Sequence, residues 1–148
     1  MASANVKLAV SRANVETVER AIAALNARDI DAFLACCTEA VVVRPPTVEI
    51  FPEYEGAEGI KRFWADVEDA APDFRLVVEK LESVGADHVI AFLRVTASGR
   101  ASGVQVSENA PSADVYDLVD GKISRIRAFF DRREALKALG LEADSTQS

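Results

Sequence analysis

Histidine is almost absent from this chain, and its scarcity excludes one class of metal site. The 148 residues include a single histidine, His88, so a zinc site built from several imidazoles cannot form. A Ser-His-Asp triad would rest on His88 alone and carries little weight. The two cysteines, Cys36 and Cys37, are adjacent, which suits buried helix residues better than a stabilising disulfide. We therefore expect no metal, no cofactor and a reducing, cytoplasmic environment.

Basic residues and long apolar runs are also scarce. The chain has 17 Lys and Arg against 24 Asp and Glu, and its formal net charge is -7. So acidic a protein is unsuited to a nucleic-acid backbone or an anionic membrane, and we expect neither as a partner. Near the N-terminus the only apolar run is Leu8-Ala9-Val10, which is far too short for a secretory signal.

The first half of the chain contains amphipathic stretches. Apolar side chains at helical spacing predict a helix that begins at an Asn14 N-cap, a short second helix capped by Asp29, and a third helix over residues 57–70. Between the last two, Val41–Arg44 predicts a short strand that Pro45 and Pro46 end. Residues 46–56 are predicted to pack as a lid.

The second half is rich in strand-forming residues. Residues 74–83 and 89–97 predict a long hairpin, and residues 110–133 predict two strands around Asp120-Gly121, then a helix. This order predicts an α+β fold with helices gathered on one face of a strongly curved, mixed or antiparallel sheet, as a cone-shaped barrel that encloses a pocket.

The chain is predicted to form one domain with loose ends. Residues 14–141 carry all of the patterned segments, and 148 residues suffice for a single core. Residues 1–13 lack a firm pattern and are predicted to be a frayed extension, and residues 142–148 a flexible tail.

The final hairpin leaves two registers open. A two-residue turn at Asp120-Gly121 places Asp114 opposite Arg127, on the face away from Ile126. A three-residue turn with a bulge at Gly121 places Asp114 opposite Ile126, among apolar side chains. One residue of register therefore decides whether Asp114 is an ordinary surface acid or a buried one.

Four segments together resemble the SnoaL-like polyketide cyclase branch of the nuclear transport factor two-like superfamily. They are ETVERAIAALNARDIDAFLACCTEAVVV, YEGAEGIKRFW, DGKISRIRAFFD and ALKALGL. Relatives include ketosteroid isomerases and limonene epoxide hydrolases. The resemblance implies the three-residue turn, with Asp114 inside the pocket as a carboxyl that resists ionisation because it is buried.

The sequence departs from those relatives at their other catalytic positions. Arg44 stands where the resemblance places the general base of the isomerases, and an arginine cannot abstract a proton at neutral pH. Ala21 replaces the phenol of the isomerases, and Ala128 replaces the last-strand carboxylate of the epoxide hydrolases. Neither reaction can be carried over.

The candidate site is a pair of charged side chains in an apolar pocket. Arg44 and Asp114 are predicted to face each other, with Arg44 binding an anionic or enolisable oxygen and Asp114 transferring a proton; the alternatives are a structural ion pair and a strand-end arginine that reaches solvent. The Tyr54 hydroxyl is directed into the pocket mouth or packed on the third helix. The predicted lining consists of Phe33, Phe63, Trp64, Leu93, Val95, Tyr116, Ile126, Ala128 and Phe130.

Two function classes follow from this site. The first is a small-molecule enzyme that acts by proton transfer, with isomerase, cyclase, lyase or hydrolase chemistry, on a hydrophobic carbonyl or phenolic compound. The second is a non-catalytic module for small-molecule binding or dimerisation. The outer face of the final sheet, which carries Arg125, Arg127 and Phe129, is predicted to form a homodimer.

Overall fold

The computed structural model describes residues 2–45, 53–96 and 110–141. Its elements, in chain order, are α1 (Ala2–Ala27), α2 (Ile30–Ala35), β1 (Cys37–Arg44), β2 (Tyr54–Glu55), α3 (Gly56–Ala70), β3 (Arg75–Val84), β4 (His88–Thr96), β5 (Ala110–Val119), β6 (Lys122–Phe129) and α4 (Arg132–Ala138). Most of the predicted lid and all of the predicted tail lie outside the described residues. Among the helices described, none combines the length and hydropathy that a membrane crossing requires.

The strands form one six-stranded mixed sheet in the order β2-β1-β6-β5-β4-β3. The β1 and β6 strands are parallel, and every other neighbouring pair is antiparallel. The predicted α+β class and mixed sheet are thus confirmed. Within the described residues the sheet stays open, because its two edge strands, β2 and β3, do not pair with each other.

Both faces of this sheet are covered, each by a different set of helices. The inner face packs against α1, α2 and α3 and includes Val89, Leu93 and Tyr116 in the larger core. The outer face carries Ile90, Ala113 and Val115, which pack against Ala135 of α4 in a smaller core. The expectation that the helices gather on one face is therefore wrong for α4.

Helix α1 begins at Ala2, so residues 2–13 belong to the same helix as the predicted segment that starts at Asn14. Asn14 is not its N-cap. The Asn14 side chain lies within the helix, is buried, and donates from Nδ2 to the Ala86 carbonyl at 2.8 Å. An asparagine can cap a helix or donate a hydrogen bond to a buried turn, as Asn14 does to the turn between β3 and β4. Sequence spacing does not distinguish these two roles.

The open edge of β3 is partly occupied by a side chain from α1. Asn26 donates from Nδ2 to the Leu76 carbonyl at 2.8 Å, and its Oδ1 accepts from the Leu76 amide at 2.9 Å. One side-chain amide thus makes both of the hydrogen bonds that a further strand would make at Leu76. Further along β3, the pairing with β4 shifts between Val78 and Lys80.

Gly59 lets α3 approach the backbone of β2, and its replacement tests that contact. A Cβ at Gly59 would stand 2.8 Å from the carbonyl carbon of Tyr54, closer than real side chains approach backbone. We expect Gly59→Ala to lower the free energy of unfolding by roughly 1–2 kcal/mol, because overpacking outweighs the better helix propensity of alanine. Urea unfolding measures this. Lys61→Ala, at an exposed α3 position, is the control, and an equal or smaller loss for Gly59→Ala would contradict the close contact.

Candidate functional site

The turn between β5 and β6 fixes the position of Asp114. Asp120 and Gly121 both have positive φ, 52° and 78°, and Val119 pairs with Lys122, so the loop has two residues. The pairing then shifts beyond Leu118, and Asp114 comes to lie opposite Ala128. Neither predicted partner, Arg127 or Ile126, is correct, and the predicted bulge at Gly121 is wrong.

A bulge at Ser124, away from the turn, determines which β6 side chains share the inner face with Asp114. Asp117 pairs with Arg125 and Leu118 pairs with Ile123, which leaves Ser124 as the extra residue of β6. Its hydroxyl donates to the Asp117 carbonyl at 3.1 Å. Without this extra residue, a two-residue turn would bring Arg125 and Arg127, instead of Ile126 and Ala128, to the face of Asp114, so the bulge determines which β6 side chains surround the carboxyl.

Small side chains flank Asp114 on both neighbouring strands. Its cross-strand partners are Ala91 on β4 and Ala128 on β6. Ala91 is fully buried, whereas Ala128 and Asp114 keep some accessible surface. Two residues along β5 on the same face, the buried Tyr116 donates from its hydroxyl to Asp114 Oδ2 at 3.4 Å. The carboxyl therefore has small neighbours on either side and, among the described residues, one weak hydrogen-bond donor.

Burial dominates the electrostatics of this pair. It raises the pKa of Asp114 from 3.8 to about 7, and the hydrogen bond from Tyr116 lowers that pKa only in part. Burial and then the negative charge of Asp114 raise the pKa of Tyr116 well above its ordinary value. Near neutral pH, Asp114 can consequently give or take a proton, while Tyr116 remains a neutral hydrogen-bond donor.

Arg44 is not beside Asp114. It pairs with Arg127 across the parallel β1–β6 contact, one residue after Val43 pairs with Ile126. Since Ile126 is on the inner face, Arg44 and Arg127 are on the outer face, and Arg44 is exposed. The predicted Arg44–Asp114 pair is therefore wrong, for the physical reason that side chains alternate along a strand.

Tyr54 packs on α3, which is the second of the two placements that the sequence leaves open. Its hydroxyl donates to Asp66 Oδ2 at 2.6 Å, and its ring meets Phe63 edge-on with centroids 5.4 Å apart. Burial and the hydrogen bond to Asp66 raise the pKa of Tyr54 to about 12. Because Asp66 is exposed, this hydroxyl points towards the solvent side of α3 and does not join Asp114.

The remaining predicted lining residues belong mainly to the core of the inner face. Phe33, Trp64, Leu93, Tyr116 and Ile126 are buried there, and Phe63 and Val95 pack against them. Phe130 is the exception: it follows the end of β6 and is 65% exposed, so its placement on the inner face is wrong. A strand period continued past Phe129 does not hold once the strand has ended.

A surface groove lies elsewhere, between α1 and β3. Its volume is about 440 Å³, and it is lined by Glu19, Ile22, Ala23, Asn26, Arg75, Leu76, Val77 and Val78. None of these residues neighbours Asp114, so the groove and the candidate proton-transfer group are separate features. In the described part of the chain, no three His, Cys, Asp or Glu side chains are grouped as metal ligands.

A charged cluster on the outer face was not predicted from the sequence. Asp117 Oδ1 accepts from Arg127 Nη2 at 3.1 Å and lies 2.9 Å from His88 Nδ1. The sequence contains part of the evidence for this cluster, because Asp117 and the arginines of β6 each alternate with inner-face residues along their strands. Their meeting depends on the bulge at Ser124, which the alternation does not reveal.

The two thiols are predicted to be unreactive in the folded protein. Cys36 and Cys37 are both buried, as expected, although Cys37 begins β1 instead of lying on α2. Burial, followed by the neighbouring Cys36, raises the pKa of Cys37 to about 12. We expect a chromogenic disulfide reagent near neutral pH to label neither thiol until urea unfolds the protein. Fast labelling of the native state would contradict this burial.

Comparison with known proteins identifies the family. The profile of the SnoaL-like domain matches residues 18–126, well over half of the chain. No curated protein sequence matches it.

Solved structures support the same fold. A protein from Jannaschia sp. CCS1, assigned as a SnoaL-like polyketide cyclase, is 24% identical over 89% of this chain and 94% of its own, with a TM-score of 0.67. A protein from Kribbella flavida, assigned as a ketosteroid isomerase, is 21% identical over 80% and 78%, with a TM-score of 0.64. TerC, co-crystallised with polyporic acid, is 22% identical over 86% and 98%, with a TM-score of 0.69. At these identities the structures establish a shared fold, and with the matching profile they show that the chain belongs to the SnoaL-like domain family.

Proposed function

We propose that this protein is a small-molecule enzyme in which Asp114 transfers a proton to or from a hydrophobic carbonyl or phenolic compound. The observation that carries the proposal is a carboxyl on the inner face, flanked by Ala91 and Ala128, whose pKa burial raises to about 7. A group that titrates near the working pH is the most effective general acid or base.

The surroundings of Asp114 favour an uncharged ligand. Apolar side chains dominate the inner face, and Arg44, which was to bind an anionic oxygen, lies on the outer face. When its carboxyl is protonated, Asp114 would donate a hydrogen bond to a carbonyl or phenol oxygen. When its carboxyl is ionised, Asp114 would accept a proton from the ligand next to that oxygen. Tyr116 is a second donor close to that oxygen, and it stays protonated throughout.

The proposal draws some support from structural relatives. One similar structure was solved with polyporic acid, and others carry isomerase or polyketide cyclase assignments. At their low identity to this chain, these structures support the fold and do not indicate the substrate. The choice of a carbonyl or phenolic ligand therefore rests on Asp114 and its apolar surroundings.

We also propose that the protein acts as a homodimer, paired through the end of the sheet near Phe129 and Phe130, in a reducing cytoplasm. Support for pairing comes from Phe130, which is 65% exposed next to the partly buried Phe129. Support for the compartment comes from two free cysteines. Sedimentation equilibrium of the native protein and of Phe130→Ser tests the pairing, and a native monomer would contradict it.

A ligand screen with matched variants tests the enzymatic proposal. Hydrophobic enones, phenols and their carboxylate analogues would be added to the native protein, Asp114→Asn and Tyr116→Phe in a thermal-shift assay, followed by turnover assays on every hit. The control is Asp117→Asn, which changes a carboxyl on the outer face of the same strand.

We expect neutral compounds to stabilise the native protein and the control, and turnover to fall by about 100-fold or more in Asp114→Asn. Ligands that bind without any turnover would favour the non-catalytic binding module. If no compound binds the native protein, or if Asp117→Asn loses turnover as severely as Asp114→Asn, the assignment of Asp114 is wrong.

A further inference from the structure

Two arginines face each other directly across neighbouring strands on the outer face. Arg44 of β1 and Arg127 of β6 are paired Cα positions in the parallel contact, and both side chains leave the sheet on the same side. Neighbouring strands lie about 4.8 Å apart, so the two guanidinium stems start close together. Like charges directly opposite each other are unfavourable in a sheet unless an anion lies between them.

Arg127 is held in place by one carboxylate. Its Nη2 donates diagonally to Asp117 Oδ1 at 3.1 Å, and only 19% of its side chain is exposed. The same oxygen also lies 2.9 Å from His88 Nδ1, so one carboxylate is shared by two basic groups. Moreover, Arg127 Nε is buried with no hydrogen-bond partner among the described residues. The guanidinium is therefore fixed in position while part of its donor capacity is unused.

A third arginine adds to the local positive charge. Arg125 is two residues before Arg127 on β6, opposite Val42, and so shares the outer face. Within the described ranges, neither Arg44 nor Arg125 makes an ion pair with an acidic side chain. The nearest acid on β2 is Glu55, which pairs with Val42. This concentration of arginine is unexpected on a protein whose formal net charge is -7.

We propose that the outer face binds an oxyanion, a phosphate or carboxylate group, between Arg44 and Arg127. Arginine is suited to this role because its planar fork donates two parallel hydrogen bonds to such a group. Arg127 provides the preorganised half of the site, and the exposed Arg44 closes over the anion from the next strand. Asp114 is on the opposite side of the sheet, so this site is independent of the proposed proton transfer.

Inorganic phosphate is the probe that tests the site. Calorimetric titration and thermal unfolding of the full-length protein would use phosphate, and acetate as the carboxylate arm, with sodium chloride holding ionic strength constant. The variants are Arg44→Met, Arg44→Lys and Arg125→Met. The control, Arg75→Met, removes an arginine from β3, at the far edge of the same sheet.

We expect Arg44→Met to weaken phosphate binding by about tenfold or more, the loss of a charge-assisted hydrogen bond. Arg44→Lys should retain part of the affinity, and Arg75→Met should bind as the native protein does. The proposal is overturned if chloride stabilises the protein as strongly as phosphate, or if Arg44→Met and Arg75→Met lose equal affinity. It is also overturned if Arg44→Met dissociates a dimer and phosphate affects neither protein, because the arginines would then contact a second copy.

Discussion

Asp114→Asn should be more stable than the native protein at about pH 8 and should lose most of the decline in stability that the native protein shows between about pH 4 and pH 7. Burial raises the pKa of Asp114 from 3.8 to about 7. Within that interval the unfolded chain has released a proton that the folded protein still holds, so stability falls as pH rises. Three pKa units correspond to about 4 kcal/mol, an upper value because the side chain keeps some contact with solvent.

Unfolding by urea at a series of pH values measures this difference. The quantity to compare is the free energy of unfolding of Asp114→Asn minus that of the native protein, which should grow towards high pH and level off above about pH 7. A difference that stays flat would mean that the carboxyl of Asp114 is solvated in the folded protein.

Arg132→Met should be strongly destabilising. Arg132 opens α4 and donates from Nε to the Ser112 carbonyl at 3.1 Å, and from Nη2 to the Leu93 carbonyl and Glu79 Oε1, both at 2.7 Å. Its guanidinium also lies over the Phe92 ring, 5.7 Å from the centroid. One side chain thus joins three strands to α4, and removing its bonds to two carbonyls should cost about 2–4 kcal/mol.

The adjacent Arg133 provides a matched control for this variant. Its side chain is 87% exposed, and Arg133→Met should change stability by no more than about 0.5 kcal/mol. The Arg132→Met loss should also shrink in acid. The hydrogen bond from Arg132, followed by that from Arg94, lowers the pKa of Glu79, so this stabilisation is present at neutral pH and disappears as pH falls through the lowered pKa. Equal losses for the two variants would contradict the contacts described.

Local signals in the sequence predicted the element types and several of their ends. Asp29 was expected to cap α2, and its side chain accepts from the Ala32 amide at 3.1 Å. Asp131 caps α4 in the same way and accepts from the Arg133 amide at 2.8 Å. Gly140, a residue type that commonly follows the end of a helix, comes after α4 and has a φ of 73°. Each of these features depends on chemistry within a few residues, which is why a single sequence is enough to find it.

The errors at the site arose where a local pattern depended on distant partners. The inward position of Asp114 was anticipated, because the bulge at Ser124 leaves the alternation of β5 unchanged. Its partner on β6 was not anticipated, because the bulge shifts the register between β5 and β6. Arg44 was expected inside because it stands where the resemblance places the general base of the isomerases, yet its side is set by parallel pairing with β6, more than eighty residues later. Which residues of two paired strands share a face depends on their register, and the sequence of one strand does not contain that information.

The Asn26–Leu76 contact has a consequence for how copies of this protein behave when crowded. A sheet with free edges can add strands from neighbouring molecules, and long exposed edges are the usual starting points of fibrous aggregates. Here β2 has only two residues, and the other edge carries the Asn26 amide at Leu76 and a shift in pairing near Val78. Asn26 therefore hinders the addition of a strand from another molecule at Leu76, in addition to fixing α1 against β3.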